Sequence, residues 1–226
     1  MGFAQKMALL LWKDVVVELR AKELVYATIF FAAIVLLVFS FAFLGGPPPT
    51  VDVSAGVLWV ALVLTGTLGI GRAFEREREG DTLRALLLSP LPRSVVYLSK
   101  LIAIALLMAA VEAVCVALMA LLFHLSLGPR PLELVALLAL GTLGFASVAS
   151  LFGASLGRAR SRDVLLPLLT YPIVVPVLIG GTRGTVALLL GDVAVGHYWL
   201  KFLVVFDLVF LTIAVRIFEP LVRGDA

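Results

Sequence analysis

Long apolar stretches constrain this chain more than any other feature of its sequence. A helix needs about 20 mostly apolar residues to cross the hydrocarbon core of a bilayer. Six stretches meet that length approximately: residues 24–44, 53–71, 101–123, 132–156, 164–181 and 198–218. The chain is 62% hydrophobic and 15% charged, whereas a soluble domain is roughly half apolar and a quarter charged. We therefore predict an all-α polytopic membrane protein with six transmembrane helices, forming a single transmembrane domain over residues 1–226.

The distribution of basic residues predicts the orientation of these spans. With the N-terminus in the cytoplasm, fifteen of the 18 Lys and Arg residues fall in cytoplasmic segments, and only Arg130, Arg183 and Lys201 fall outside. Cytoplasmic loops carry an excess of positive charge. We expect a multi-pass protein of the bacterial inner membrane with both termini in the cytoplasm.

Residues 1–23 are predicted to form an amphipathic helix at the membrane interface. Lys6, Lys13 and Arg20 recur every seven residues, on one side of a helix. The apolar residues fall on another side: Phe3, Met7, Leu10 and Leu11. A cationic stripe of this kind faces anionic headgroups. The alternative is an ordinary basic flank of the first span. That span, at about 21 residues, is longer than a signal-peptide core and is predicted to be retained.

The fifth span contains three prolines, Pro167, Pro172 and Pro176. Each proline leaves one backbone carbonyl without its helical hydrogen bond. This is tolerated where other protein groups or a water-filled cavity supply a donor. The pattern predicts either a kink near a dimer axis or a plain bend in a buried helix. Beyond this span, Gly180, Gly181 and Gly184 predict a break, and residues 185–195 a short outer re-entrant helix.

The largest cytoplasmic loop, residues 72–100, contains one short helix with a leucine face. Gly80 ends the preceding charged helix, Asp81 or Thr82 can cap a new one, and Pro90 ends it. This helix, about 82–89, carries Leu83, Leu86 and Leu87 at i, i+3 and i+4. Such a short helix is unstable alone and needs the membrane surface or a groove on a partner protein.

The residues of this loop resemble the coupling-helix signature of ABC-2-type exporter permeases. The series EREREGDTLRALLLSP occupies residues 75–90. The residues that carry the resemblance are Glu75, Glu79, Gly80, Asp81, Thr82, Leu83, Leu86, Leu87, Ser89 and Pro90. In that family the helix lies between the second and third spans, as here, and inserts into a cleft of the ATPase subunit. The proline-rich segment LLPLLTYPIVVPVLIGG at residues 165–181 and the whole-chain pattern are similar to the CcmB family, the haem-exporter permeases of cytochrome c maturation.

This resemblance implies a permease subunit that couples ATP hydrolysis in a separate subunit to haem export or to release of a haem-loaded chaperone. It implies a homodimer on two CcmA-like ATPases, together with a CcmC-like haem-handling subunit and a CcmE-like haem chaperone. The chain has no Gly-Lys dipeptide and hence no Walker A motif. We therefore expect it not to be an enzyme, with ATP and magnesium bound by the partner, haem handled by the complex, and no contact with nucleic acid.

Direct cofactor binding by this chain has only two candidate ligands, His124 and His197, both predicted near the outer surface. A bis-histidine haem site is chemically reasonable, but isolated histidines at helix ends are more often interfacial polar residues. We predict no catalytic residues, no metal site and no directly bound cofactor.

Two carboxylates lie in the middle of predicted spans, Glu112 in the third and Asp207 in the sixth. Charge at the bilayer centre costs about 2.5–3.5 kcal/mol on insertion scales. These residues either line a polar path or dimer contact, or are protonated carboxyls that tie helices together. In the fourth span, Ala149, Gly153 and Gly157 form a small-xxx-small row that predicts close helix packing.

Other classes of function fit the sequence less well. An enzyme using Glu112 and Asp207 as an acid/base pair lacks the accompanying motifs of intramembrane proteases, and a secondary transporter favours paired broken helices. Two alternatives remain open. One is an ABC-2-type exporter permease for another substrate, and the other is a non-transporting membrane scaffold for the haem-handling subunit.

Overall fold

The computed structural model describes residues 2–46, 48–79, 91–123, 128–156 and 161–223. Within these ranges all regular structure is helical, which confirms the all-α class. The helices are α1 (Phe3–Ala21), α2 (Glu23–Ala42), α3 (Val51–Glu79), α4 (Arg93–Leu122), α5 (Pro131–Ser155), α6 (Arg162–Leu190) and α7 (Val193–Arg223).

Five of the helices in the described ranges, α2 to α6, are long and apolar enough to cross a membrane. They contain most of the first five predicted spans. The sixth predicted span, 198–218, lies inside α7, which has 31 residues but is not among those five. It therefore remains a prediction that α7 crosses the membrane.

Helix α5 occupies the centre of the bundle. It packs against α3, α4, α6 and α7, and 72% of its apolar segment is buried, compared with 22% in peripheral α2. Its small residues explain this position, because glycine, alanine and serine let neighbouring helices approach closely. Gly144, Ala146, Ser147 and Ala149 are all buried along it.

Helix α1 confirms the predicted N-terminal helix and packs mainly on α4. Its most exposed apolar side chains are Leu9, at 54%, and Trp12, at 69%. Both lie outside the predicted apolar face, of which Met7, Leu10 and Leu11 are half-buried and Phe3 is 49% exposed. Lys22, with a φ of 56°, turns the chain from α1 into α2.

The structure corrects the predicted boundary after the fifth span. Helix α6 runs without a break from Arg162 to Leu190, so the break at Gly180–Gly184 and a separate helix over residues 185–195 are wrong. Gly180 packs against Phe202 of α7, and Gly181 against Trp59 of α3. These glycines thus provide room for neighbouring side chains and do not end the helix.

The helix ends instead at Gly191, whose φ is 81°. The Gly191 N–H donates to the Leu188 carbonyl, and the Asp192 N–H donates to the Ala187 carbonyl at 2.8 Å. This pattern is a Schellman motif, which favours glycine at the left-handed position. The Asp192 carboxylate then accepts from the Val195 N–H at 3.1 Å and caps α7.

The three prolines Pro167, Pro172 and Pro176 all lie inside α6. They do not interrupt the helix. Leu166, Val174 and Val177 of this helix are buried, whereas Pro172 is exposed and Pro167 and Pro176 are half-buried.

Candidate functional site

The predicted coupling segment lies almost entirely outside the described residues. Glu75 is exposed near the end of α3, and Glu79 is the last residue of that helix. The predicted helix at 82–89 is outside the described ranges, as are its flanking residues Gly80, Asp81 and Pro90. The segment lies between the end of α3 and the start of α4, as the sequence predicts.

The intramembrane carboxylate Glu112 joins α4 to α5. The Thr142 hydroxyl donates a hydrogen bond to the Glu112 carboxylate, and both side chains are buried. Buried polar groups need such a partner, since an unpaired one loses its hydration without compensation. The structure therefore pairs Glu112 with a neutral hydroxyl.

The second carboxylate, Asp207 on α7, packs directly against the backbone of α5. A Cβ built on Gly144 would lie 2.7 Å from Asp207 Oδ1, so only glycine leaves room for the carboxylate here. Asp207 is 3% exposed and neither carboxylate oxygen has a hydrogen-bond partner among the described residues.

The two carboxylates lie on different sides of α5. Their contacts on this helix, Thr142 and Gly144, are two residues apart, which corresponds to about 200° around a helix of 3.6 residues per turn. Glu112 and Asp207 therefore do not face a common space, and this geometry argues against an acid/base pair.

Trp59 on α3 anchors three helices and was not predicted from the sequence. Its indole N–H donates to the Thr185 hydroxyl of α6 at 3.0 Å. Its ring fills the space left by the missing side chains of Gly141 on α5 and Gly181 on α6. A single tryptophan in an apolar span does not reveal this role in the sequence, because the two glycines that make room for its ring lie far from it along the chain.

A largely buried ion pair ties α1 to α4. The Lys100 ammonium lies 2.9 Å from the Asp14 carboxylate, with side-chain exposures of 7% and 12%. The more exposed Lys13 also contacts Asp14, at 2.8 Å. In the sequence Lys100 is one of the predicted cytoplasmic loop charges, and no pattern there singles out Asp14.

The candidate ligand His197, in the first turns of α7, contacts the Arg130–Glu133 ion pair at the start of α5. Its Nε2 lies 3.2 Å from Glu133 Oε2, and Arg130 lies 2.6 Å from Glu133 Oε1. The other candidate, His124, lies outside the described residues. Within the described ranges no three His, Cys, Asp or Glu side chains are grouped as a metal site.

The small-residue row of α5 packs inside the subunit. Ala149 and Gly153 are buried, and Gly153 receives the ring of Phe74 from α3. Gly157 lies outside the described residues. In the same helix, the Ser147 carbonyl accepts a hydrogen bond from the Tyr97 hydroxyl of α4 at 2.9 Å.

Comparison with known proteins identifies the family of this chain. The chain matches the family described as CcmB protein over residues 5–222. It belongs to the CcmB family. Heme exporter protein B of Pseudomonas aeruginosa is 33% identical over 189 residues, covering 80% of this chain and 81% of that protein. Heme exporter protein B of Paracoccus denitrificans is 33% identical over 131 residues, covering 58% of this chain and 60% of that protein.

Membership in the CcmB family confirms the resemblance noted in the sequence. With the five long apolar helices, it makes this chain a multi-pass membrane protein of a haem-transport family that acts in cytochrome c maturation. A CcmB protein is a membrane subunit and is not itself an ATPase. The family assignment covers nearly the whole chain, from α1 to the end of α7.

Proposed function

We propose that this chain is the permease subunit of an ABC transporter complex that exports haem, or releases a haem-loaded chaperone, during cytochrome c maturation. The observation that carries the proposal is its CcmB family membership over residues 5–222, with relatives named Heme exporter protein B. ATP is hydrolysed by a separate subunit.

The arrangement of α3 and α4 supports a path for force from that subunit. The predicted coupling helix, about 82–89, connects Glu79 at the end of α3 to Arg93 at the start of α4. Helix α4 in turn contacts α1, α2, α3, α5 and α7. A displacement at the start of α4 is therefore transmitted to most of the bundle, because packed helices move as rigid bodies.

The partners follow from the same proposal. The subunit forms a homodimer on two CcmA-like ATPases in the inner membrane, with both termini in the cytoplasm. It associates with a CcmC-like haem-handling subunit and a CcmE-like chaperone. The complex handles the haem, and this chain supplies no iron ligand.

Co-purification tests the coupling helix directly. We expect a tagged chain to retain its ATPase subunit and the double variant Leu83→Asp/Leu86→Asp to lose it, because two charges replace the apolar anchors. The control is Leu132→Asp, at a side chain that is 84% exposed at the start of α5, near the opposite end of the bundle. This control should keep the ATPase. Equal recovery of the ATPase with all three proteins would contradict the proposal.

A further inference from the structure

Helix α6 leaves one continuous side uncovered along much of its length. The exposed residues on it follow one another at intervals of four, four, three and four: Val164, Leu168, Pro172, Val175 and Ile179. This spacing places them on one face of a helix. The other sides of α6 pack on α3, α5 and α7. We call these five residues the proline face.

Two backbone carbonyls of the proline face lack their usual helical donor. A proline has no N–H, so it removes the hydrogen bond to the carbonyl four residues earlier. Pro172 in this way frees the Leu168 carbonyl, and Pro176 frees the Pro172 carbonyl. Leu168 is 62% exposed and Pro172 is exposed. Both carbonyls therefore belong to residues on the side of α6 that the described part of the subunit leaves open.

Lipid chains cannot satisfy these two carbonyls. The hydrocarbon core holds no donors, and backbone groups without a helical partner are tolerated there where other protein or a water-filled cavity covers them. Leu168 and Pro172 lie about 9 and 15 Å from the start of α6 at 1.5 Å per residue, well inside a helix of 29 residues. The proline face therefore needs a protein neighbour that brings donors.

Tyr171 provides an unused donor beside this face. Its side chain is half-buried, and its hydroxyl makes no hydrogen bond among the described residues. Aromatic side chains on a helix lean over the preceding turn, so the Tyr171 hydroxyl lies near the depth of Leu168. One helix thus carries an unpaired acceptor and an unpaired donor at similar depth.

We propose that the proline faces of two copies of this chain pack together, with the Tyr171 hydroxyl of each copy donating to the Leu168 carbonyl of the other. This inference rests on the homodimer of the proposed function and identifies the face that forms it. Two copies in one membrane share a topology, so their α6 helices meet in parallel about a two-fold axis along the membrane normal. A two-fold interface needs a surface that complements itself. A donor and an acceptor at similar depth meet that need.

The charges on α6 fit this interface and limit its extent. Residues 164–182 include no charged side chain, so two copies do not repel each other there. Arg183 is exposed four residues beyond Ile179, on the same side of the helix. Like charges brought together across an interface are unfavourable. The contact therefore ends before Arg183, and the two helices diverge toward the predicted outer surface.

Cysteine cross-linking in cell membranes tests the interface. The full chain, expressed with its ATPase subunit, would carry Val175→Cys together with Cys115→Ala, which removes its one native cysteine. Residues beside a two-fold axis meet their own copies, so mild oxidation should give a covalent dimer. Val38→Cys is the matched control and should stay monomeric, because Val38 is exposed on peripheral α2. Equal cross-linking at both positions, none at Val175→Cys, or a product with a different protein would overturn the inference.

The cross-link and the ATPase co-purification separate this inference from the proposed function. A Val175→Cys dimer that does not retain the ATPase would support the interface and contradict the coupling proposal. A chain that retains the ATPase but gives no such dimer would contradict the interface alone.

The hydrogen bond of Tyr171 is tested by the dissociation constant of the dimer, measured by energy transfer between labelled chains in bilayers. Tyr171→Phe should raise this constant about 5- to 100-fold, the range of two neutral hydrogen bonds. Tyr26→Phe, on the exposed side of α2, is the matched control and should leave it unchanged. Pro172→Ala restores an N–H for the Leu168 carbonyl, so Tyr171→Phe should have a smaller effect in that background. Equal effects in both backgrounds, or none in either, would show that the assigned hydrogen bond is wrong.

Discussion

Glycines in the middle of the bundle leave room for large or polar side chains from neighbouring helices. Gly141 and Gly181 receive the ring of Trp59, and Gly144 receives the carboxylate of Asp207. In each place the missing Cβ is occupied by an atom of another helix. Interiors packed this closely are sensitive to the addition of a single methyl group.

The variant Gly144→Ala tests this packing. Its new Cβ would lie within 2.7 Å of Asp207 Oδ1, so either the carboxylate or α7 must shift. We expect a loss of about 1–3 kcal/mol in the free energy of unfolding. Gly56→Ala on α3 is the control, since nothing lies within 4 Å of its Cβ. It should be neutral or stabilising by up to about 1 kcal/mol. Thermal unfolding of purified protein measures both, and equal stability of the two variants would contradict the contact.

The variant Glu112→Gln separates hydrogen bonding from charge. The amide oxygen still accepts from Thr142, so we expect the stability to stay within about 0.5 kcal/mol and haem-dependent cytochrome maturation to continue. Glu112→Leu removes the acceptor and should cost about 1–3 kcal/mol by leaving the Thr142 hydroxyl unpaired. Loss of maturation in the Gln variant at unchanged stability would show that the charge itself is required.

At the scale of elements, α4 contacts its neighbouring helices from its first turns onward, near the predicted membrane surface. Its first two turns follow the predicted coupling segment and include Lys100, which pairs with Asp14 of α1. The pair is mostly buried, and removing one member of a buried pair takes a compensating charge away from the other. Helix α1 is therefore held to α4 by charge as well as by apolar packing.

Replacing Asp14 tests this attachment. We expect Asp14→Ala to destabilise the attachment of α1 by about 3 kcal/mol and to expose the α1–α2 junction at Lys22 to trypsin. The double variant Asp14→Ala/Lys100→Met should recover much of the protection, because it removes the second charge as well. Lys13→Ala is the control, since Lys13 is 38% exposed and exposed pairs contribute less than about 1 kcal/mol. Cleavage at Lys22 that is equally rapid in all four proteins would contradict a role for the ion pair.

The whole molecule is organised around α5, with α6 and α7 packed most closely to it and α2 at the periphery. Apart from the predicted coupling segment between α3 and α4, short connections join successive long helices, which suits alternating passages through a bilayer. The predicted orientation then places the α2–α3 and α4–α5 connections outside and the α3–α4 connection inside, where a cytoplasmic ATPase can reach it.

Cysteine labelling tests this orientation. In a Cys115→Ala background, a membrane-impermeant maleimide should modify Gly46→Cys and Leu132→Cys in intact cells whose outer membrane is permeable. It should modify Gly2→Cys and Pro92→Cys only after the inner membrane is opened. The reverse pattern would invert the topology and remove the predicted coupling segment from the cytoplasm.

The sequence by itself determined the helical class, the approximate positions of α1 to α6 and the family. These properties depend on local composition. A stretch of 20 apolar residues or a short motif can be recognised without knowing what packs against it. The tertiary structure decided what individual polar residues and glycines do. Glu112 bonds to Thr142, 30 residues away, and Trp59 bonds to Thr185, 126 residues away. Gly180 and Gly181 predicted a helix end but serve as contact points, because the residues that fill their space come from α7 and α3.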